Sequence, residues 1–281
     1  MQFFHDMAHN PFLVTGLLAG LLASLACGVI GPYVVTRRIV FLSGAIAHMA
    51  VGGVGAALFL HTVFPQAFGW LLPVHGAILA ALLGALLIGF VHERAAERMD
   101  TLIGALWAIG MSVGVLLIKF TPGYAELMTY LFGNITYVSW DDVRLMIVLD
   151  AVILATVLVC HKRLLAICLD QQQAELQGIN VLAMNIVLLC LVALTVICLT
   201  QVVGLVLVIA LLSLPAATAG HHVRRMAPMM ALATLLCALI TTLPRIAVYG
   251  TMVSPESAVV LAAAGVYLLS VLVRRMLSRR R

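Results

Sequence analysis

Apolar residues fall in blocks long enough to cross a bilayer along almost the whole chain. They run near 12–35, 41–60, 71–90, 101–119, 143–160, 181–199, 202–220, 226–243 and 256–273. At about 1.5 Å of rise per helical residue, roughly 20 such residues cover the ~30 Å of hydrocarbon in a membrane. The pattern predicts an all-α protein: a polytopic transmembrane bundle of about eight or nine spans, forming one integral-membrane domain over residues 1–281. The count turns on two places. Residues 41–60 carry Gly44, Gly52, Gly53 and Gly55, and Leu199-Thr200-Gln201-Val202 leaves a very tight turn between two runs. One nominal span is therefore expected to be broken or re-entrant.

Residues 161–180, HKRLLAICLDQQQAELQGIN, break the apolar pattern. The stretch opens with His161, Lys162 and Arg163. It then passes through Asp170, three glutamines, Ala174 and Glu175 to Gly178, where a helix can stop before the next run starts at Val181. A bundle of spans has no need of some twenty polar, helix-forming residues, whereas a bundle that grips a soluble motor on one face does.

The chain is 64% hydrophobic and only 10% charged, with a net charge of +5. That balance invites a nucleic-acid partner, and the positions reject it. Arg37 and Arg38, Arg94 and Arg98, Lys162 and Arg163, Arg224 and Arg225, and the arginines from Arg274 to Arg281 all sit at ends of apolar runs. Nine alternating spans with the N-terminus outside put every one of these clusters, and the C-terminus, in the cytoplasm. Only Lys119, Arg144 and Arg245 are left opposite, as the positive-inside rule requires. The outer loops are poor in positive charge, and 124–133 (YAELMTYLFG) reads as a short interfacial helix, too short to span. The N-terminal MQFFHDMAHN has no basic leader, so 12–35 reads as a retained span. The six cysteines form no CxxC pair and read as small buried hydrophobes. Gly16-x3-Gly20 and Gly110-x3-Gly114 suit close helix contact. There is no Walker motif, HExxH pair or nucleophile elbow, so the chain is expected neither to hydrolyse ATP nor to carry a cofactor of its own.

Several segments, in order, resemble the permease subunits of bacterial ATP-binding-cassette importers for zinc and manganese. They are GPYVVTRR at 31–38 followed by Ala47-His48, LMTYLFGN at 127–134, and VGLVLVIALLSLPAATA at 203–219. The spacing Asp170-x3-Ala174-x3-Gly178 is similar to that family's cytoplasmic segment. The resemblance implies a multi-pass protein of the bacterial inner membrane, a homodimer or pseudo-dimer. It also implies a cytoplasmic ATPase dimer and an extracytoplasmic metal-binding protein that delivers a divalent zinc or manganese ion. Within it, residues 166–180 become an ATPase-coupling segment, with Asp170, Ala174, Glu175 and Gly178 as its marked positions.

Candidate chemistry inside the membrane is sparse. His48 is the leading metal contact, since an imidazole at lipid depth needs a cavity or a partner and neutral imidazole suits borderline metals. A hydrogen-bonded packing histidine is the alternative. In the resembled family an aspartate precedes this histidine by four residues, on the same helix face; here that position is Gly44. The loss weakens the expected site and admits a metal chelate, such as a siderophore or haem, as a rival cargo. A non-transporting membrane scaffold is the rival of another class, and it leaves the coupling segment unexplained. Asp150, about eight residues or ~12 Å into its run, is the second candidate metal residue, supplying charge missing at Gly44; the alternative is an aspartate bonded to a neighbouring helix. His5, His9, His61 and His75 fall outside, and His221 and His222 at the cytoplasmic exit. Met49 and Met111 could offer thioethers but read as packing. Pro215 is expected to kink or end its helix and to mark, with Gly44, the gating and packing positions.

Overall fold

The computed structural model describes Asp6 and residues 10–94, 99–122 and 138–278. Among these residues the regular structure is helical: α1 Pro11–Thr36, α2 Val40–Val63, α3 Pro65–Phe68, α4 Pro73–Arg94, α5 Met99–Phe120, α6 Trp140–Leu169, α7 Gln171–Leu176, α8 Val181–His222, α9 Met226–Ala247 and α10 Pro255–Ser278. Among the described residues, eight helical segments are long and apolar enough to cross a membrane. LMTYLFGN and the short helix expected at 124–133 lie outside the described residues, as do His5 and His9.

The helix starts carry their own signals. The Asn10 side chain accepts from Phe12 N at 3.0 Å to cap α1. Ser139 and Asp142 form a reciprocal capping box at the head of α6. Each satisfies backbone donors that the first helical turn leaves without partners.

α2 is the centre of one half of the bundle, packing on α4, α5 and α8, while α1 packs on α6, α8 and α9. The glycines of 41–60 do not break a span, and α2 runs unbroken through them. Instead they let backbones meet. A Cβ at Gly110 of α5 would stand 2.7 Å from the His48 carbonyl, and one at Gly114 would stand 2.7 Å from that of Val51. Gly110-x3-Gly114 is thus the seam that presses α5 onto α2, as small-residue spacing suggests.

The break in the chain is elsewhere, in α8. A straight helix would set Asn185 and Ala216 roughly 46 Å apart. Yet Asn185 bonds Arg37 at the end of α1, while Ala216 packs on Gly31, only about 9 Å back along the same helix. The element must fold back on itself, and it does so at Gly204, with φ 70° and ψ 176°. That conformation is open to glycine alone. The tight turn expected at 199–202 therefore forms a few residues later, at the first residue able to make it. The run at 202–220 is the returning arm. Pro215 does not end that arm, which continues to His222.

Candidate functional site

The polar stretch divides into two structures. Residues 161–169 continue α6 beyond its apolar run, so α6 reaches 30 residues. The chain then breaks at Asp170 (φ −154°, ψ 114°) and restarts as the six-residue helix α7. The Asp170 carboxylate accepts from Gln172 N at 2.9 Å and Gln173 N at 3.2 Å, an N-cap. At the other end Gly178 takes φ +77°. Gly178 N donates to Glu175 O at 2.9 Å and Ile179 N to Ala174 O at 3.1 Å, a Schellman stop. Ala174 between them is buried in the core. Three of the four marked residues therefore shape the helix, and a partner would meet other side chains: Gln172, Gln173, Glu175 and Leu176 all face out. Leu176 is 89% exposed and Leu169, just before the break, 73%. A groove of about 250 Å³ runs between α7 and the end of α6, lined by Lys162, Leu165, Leu169, Asp170 and Gln173 among others.

His48 lies half-buried on α2 with its ring stacked on Trp107 of α5, centroids 4.5 Å apart and planes inclined by 26°. The Gly110 seam, one turn beyond Trp107, sets that spacing. The Nδ1 of His48 is buried with no hydrogen-bond partner among the described residues. A neutral imidazole nitrogen in that state can take a metal bond. The structure also shows what fills the room at Gly44. A Cβ there would stand 2.9 Å from Ile209 Cδ1 and 2.9 Å from Trp107 Cζ3. An indole edge and an isoleucine methyl occupy the space a side chain at 44 would need. Trp107 escaped the sequence reading; its signal is a lone large aromatic in an otherwise aliphatic and small-residue run.

Asp150 is 3% exposed on α6. Its Oδ1 lies 3.9 Å from the Cys198 thiol of α8, and its Oδ2 has no partner among the described residues. Among the described residues, α6 packs mainly on α1 and α8, away from the α2–α4–α5 side. The structure thus does not bring Asp150 together with His48 or Gly44 within one chain. Among the described residues, no three His, Cys, Asp or Glu side chains are placed to hold a metal ion together.

Of the other described histidines, His61 also has a buried Nδ1 with no partner among the described residues, whereas His75, His221 and His222 have structural partners. His221 Nδ1 and His222 Nε2 share the Ser270 hydroxyl of α10 at 2.9 and 3.1 Å. His75 Nδ1 accepts from Leu72 N at 3.3 Å within its own turn. Met49 and Met111 pack against the core, and Pro215 is buried in the returning arm of α8.

Comparison with known proteins covers the same ground. The ABC 3 transport family profile matches residues 9–274. A Chlamydia trachomatis protein named "Probable metal transport system membrane protein" is 37% identical over 94% of this chain and 90% of its own length. The manganese transport system membrane protein MntC of Listeria monocytogenes is 29% identical over 83% of this chain and 80% of its own. The solved PsaBC from Streptococcus pneumoniae, in complex with Fab, superposes with a TM-score of 0.86 at 26% identity, covering 100% of this chain and 99% of that one. On this evidence the chain belongs to the ABC 3 transport family.

Proposed function

We propose that the chain is the permease subunit of an importer that carries a divalent metal ion, zinc or manganese, across the bacterial inner membrane into the cytoplasm. Separate ATPase subunits hydrolyse the ATP, and an extracytoplasmic binding protein presents the ion. The observation that carries the reading is α7, a helix capped at both ends and anchored by a buried Ala174. Its exposed Leu176 is held out from the basic end of a membrane bundle in a member of an ABC transport family. Exposed Leu176, with exposed Leu169 just before the helix, offers a soluble partner apolar contacts on an otherwise polar segment.

The relatives named for metal and manganese transport support the cargo class. His48, with its unpartnered Nδ1, is the candidate contact. A single imidazole is a poor site for a dication, and a homodimer offers a second His48 across a pathway between subunits. A bare ion is favoured over a chelate because Trp107 and Ile209 fill the space that Gly44 leaves.

The test is reconstitution of the permease with its ATPase in lipid vesicles, followed by uptake of manganese and zinc. ATP-dependent uptake of either ion that is lost in His48→Ala supports the reading. Uptake unchanged by His48→Ala removes His48 from it, and failure of any ATPase to co-purify removes the permease role.

A further inference from the structure

We infer that Arg37 is the mechanical link between α7 and the transmembrane bundle, a positioning residue through which displacement of α7 reaches α1 and α8. The inference rests on the reading of α7 as the ATPase-docking element.

A helix of six residues has no stability of its own. It can transmit a push only where it is tied. Its first residue supplies the tie. With the Gln171 amide oriented to satisfy its neighbours, its oxygen accepts from Arg37 Nη2 at 2.7 Å, Arg37 Nη1 at 3.2 Å and Asn185 Nδ2 at 3.0 Å. The same guanidinium donates through Nη1 to the Ile167 carbonyl at 3.1 Å and through Nη2 to Asn185 Oδ1 at 2.9 Å. One side chain at the end of α1 thus holds the end of α6, the start of α7 and the start of α8. These are charge-assisted bonds, the strong class, and their arrangement uses the planar fork that lysine lacks.

Two local features aim the arginine. α1 ends in a Schellman turn, with Arg38 N donating to Val35 O at 3.1 Å and Ile39 N to Val34 O at 3.0 Å. Arg38 takes the left-handed position at φ 59°, where glycine is the usual occupant. One helical turn earlier, the Tyr33 hydroxyl meets His161 Nδ1 at 2.6 Å and joins α1 to α6 a second time. Beside the link lies a cavity of about 290 Å³, lined by Arg37, Phe41, Ile88, Asp100, Gln171 and Asn185 among others. The buried Arg37 Nε has no partner among the described residues. The linked group therefore has room to shift toward α2, α4 and α5 without unpacking a filled core.

The test uses the assembled transporter, permease with ATPase in nanodiscs or vesicles, and reads manganese moved per ATP hydrolysed alongside ATPase co-purification. Arg37→Gln should keep the assembly and its ATP hydrolysis while ions moved per ATP fall by about fivefold or more. Arg37→Lys should not restore them. Gln171→Ala removes only the α7 end of the link and should give the same loss, and it decides the matter if the Arg37 variants do not fold. A wild-type assembly that pumps, with Gln171→Ala pumping equally well per ATP, overturns the link alone. A wild-type chain that binds no ATPase overturns the docking reading and the link with it.

Discussion

Gly44→Asp would return the carboxylate that the family resemblance leads one to expect, and the structure says it will not fit. The added Cβ alone stands 2.9 Å from Ile209 Cδ1, 2.9 Å from Trp107 Cζ3 and 3.2 Å from Trp107 Cη2. Each distance is shorter than an ordinary carbon contact, before the carboxylate itself is placed. Overpacking of this kind costs about 1–3 kcal/mol. Displacing Trp107 from His48 forfeits a further ~0.5–1.5 kcal/mol of stacking. A carboxylate facing an isoleucine methyl and an indole adds a desolvation cost, so a destabilisation of roughly 3 kcal/mol or more is expected. Removing the ring should relieve it. In a double-mutant cycle read by thermal unfolding of the purified permease, Gly44→Asp and Trp107→Ala should couple favourably by at least ~1 kcal/mol. Zinc should raise the unfolding temperature of the double variant more than that of the wild type, because positions 44 and 48 share one helix face. Additive effects of the two substitutions, or a Gly44→Asp chain as stable as wild type, would refute the claim that Trp107 and Ile209 hold the space.

Other substitutions separate shape from contact. Gly178→Val forces a β-branched residue into φ +77°, at a cost of about 1–2 kcal/mol, and should weaken ATPase co-purification while the transmembrane bundle stays folded by circular dichroism. Leu176→Ser changes a side chain 89% exposed; it should leave the thermal stability of the isolated permease within about 0.5 kcal/mol yet reduce ATPase binding, measured by pull-down. Asp150→Asn should leave metal uptake intact, since α6 does not pack on the His48 side; a loss of uptake with normal expression would return Asp150 to the cargo site. Gly204→Ala places a side chain in a conformation open to glycine, costing about 1–3 kcal/mol, and should lower the unfolding temperature more than Gly→Ala at exposed Gly104, where nothing lies within 4 Å of the added Cβ.

The spans were legible because length and apolar content alone decide them, and α1, α2, α4, α5, α6, α9 and α10 all fall on the expected runs. Glycine was the ambiguous letter. Within 41–60 it suggested a break, and the structure uses it to bring α5 against α2; at 204 it passed unnoticed, and there it turns the chain. Sequence cannot separate these uses, because a close approach and a reversal both need a missing Cβ and only the partner helix tells them apart. The short helix α7 was readable for the opposite reason. Its cap, its buried alanine and its left-handed stop lie within nine consecutive residues and act on one another. The Trp107–His48 stack joins residues far apart in sequence on two helices, and the Arg37 link joins four elements, so neither leaves a local trace. What the sequence showed of Arg37 was its charge and its place at a helix end, which fit the positive-inside pattern equally well without any partner.

α8 is where the two halves of the proposed mechanism meet. Its first arm starts beside Arg37 through Asn185, and its second arm, beyond Gly204, sets Ile209 against Gly44 and Trp107. From Asn185 to Gly204 the arm is about 28 Å long. A tilt of only ~5° at the linked end moves the far end by roughly 2.5 Å, on the scale of the helix shifts that switching proteins use. Ile209 and Trp107 both flank Gly44, each 2.9 Å from where a Cβ there would stand, so a shift of the second arm alters one side of the space beside His48. A displaced second arm would move Ile209 relative to Gly44, beside the Trp107 ring on which the His48 imidazole is stacked. If α7 is the docking element proposed above, a small motion there would be large enough, at the other end of α8, to change what surrounds His48.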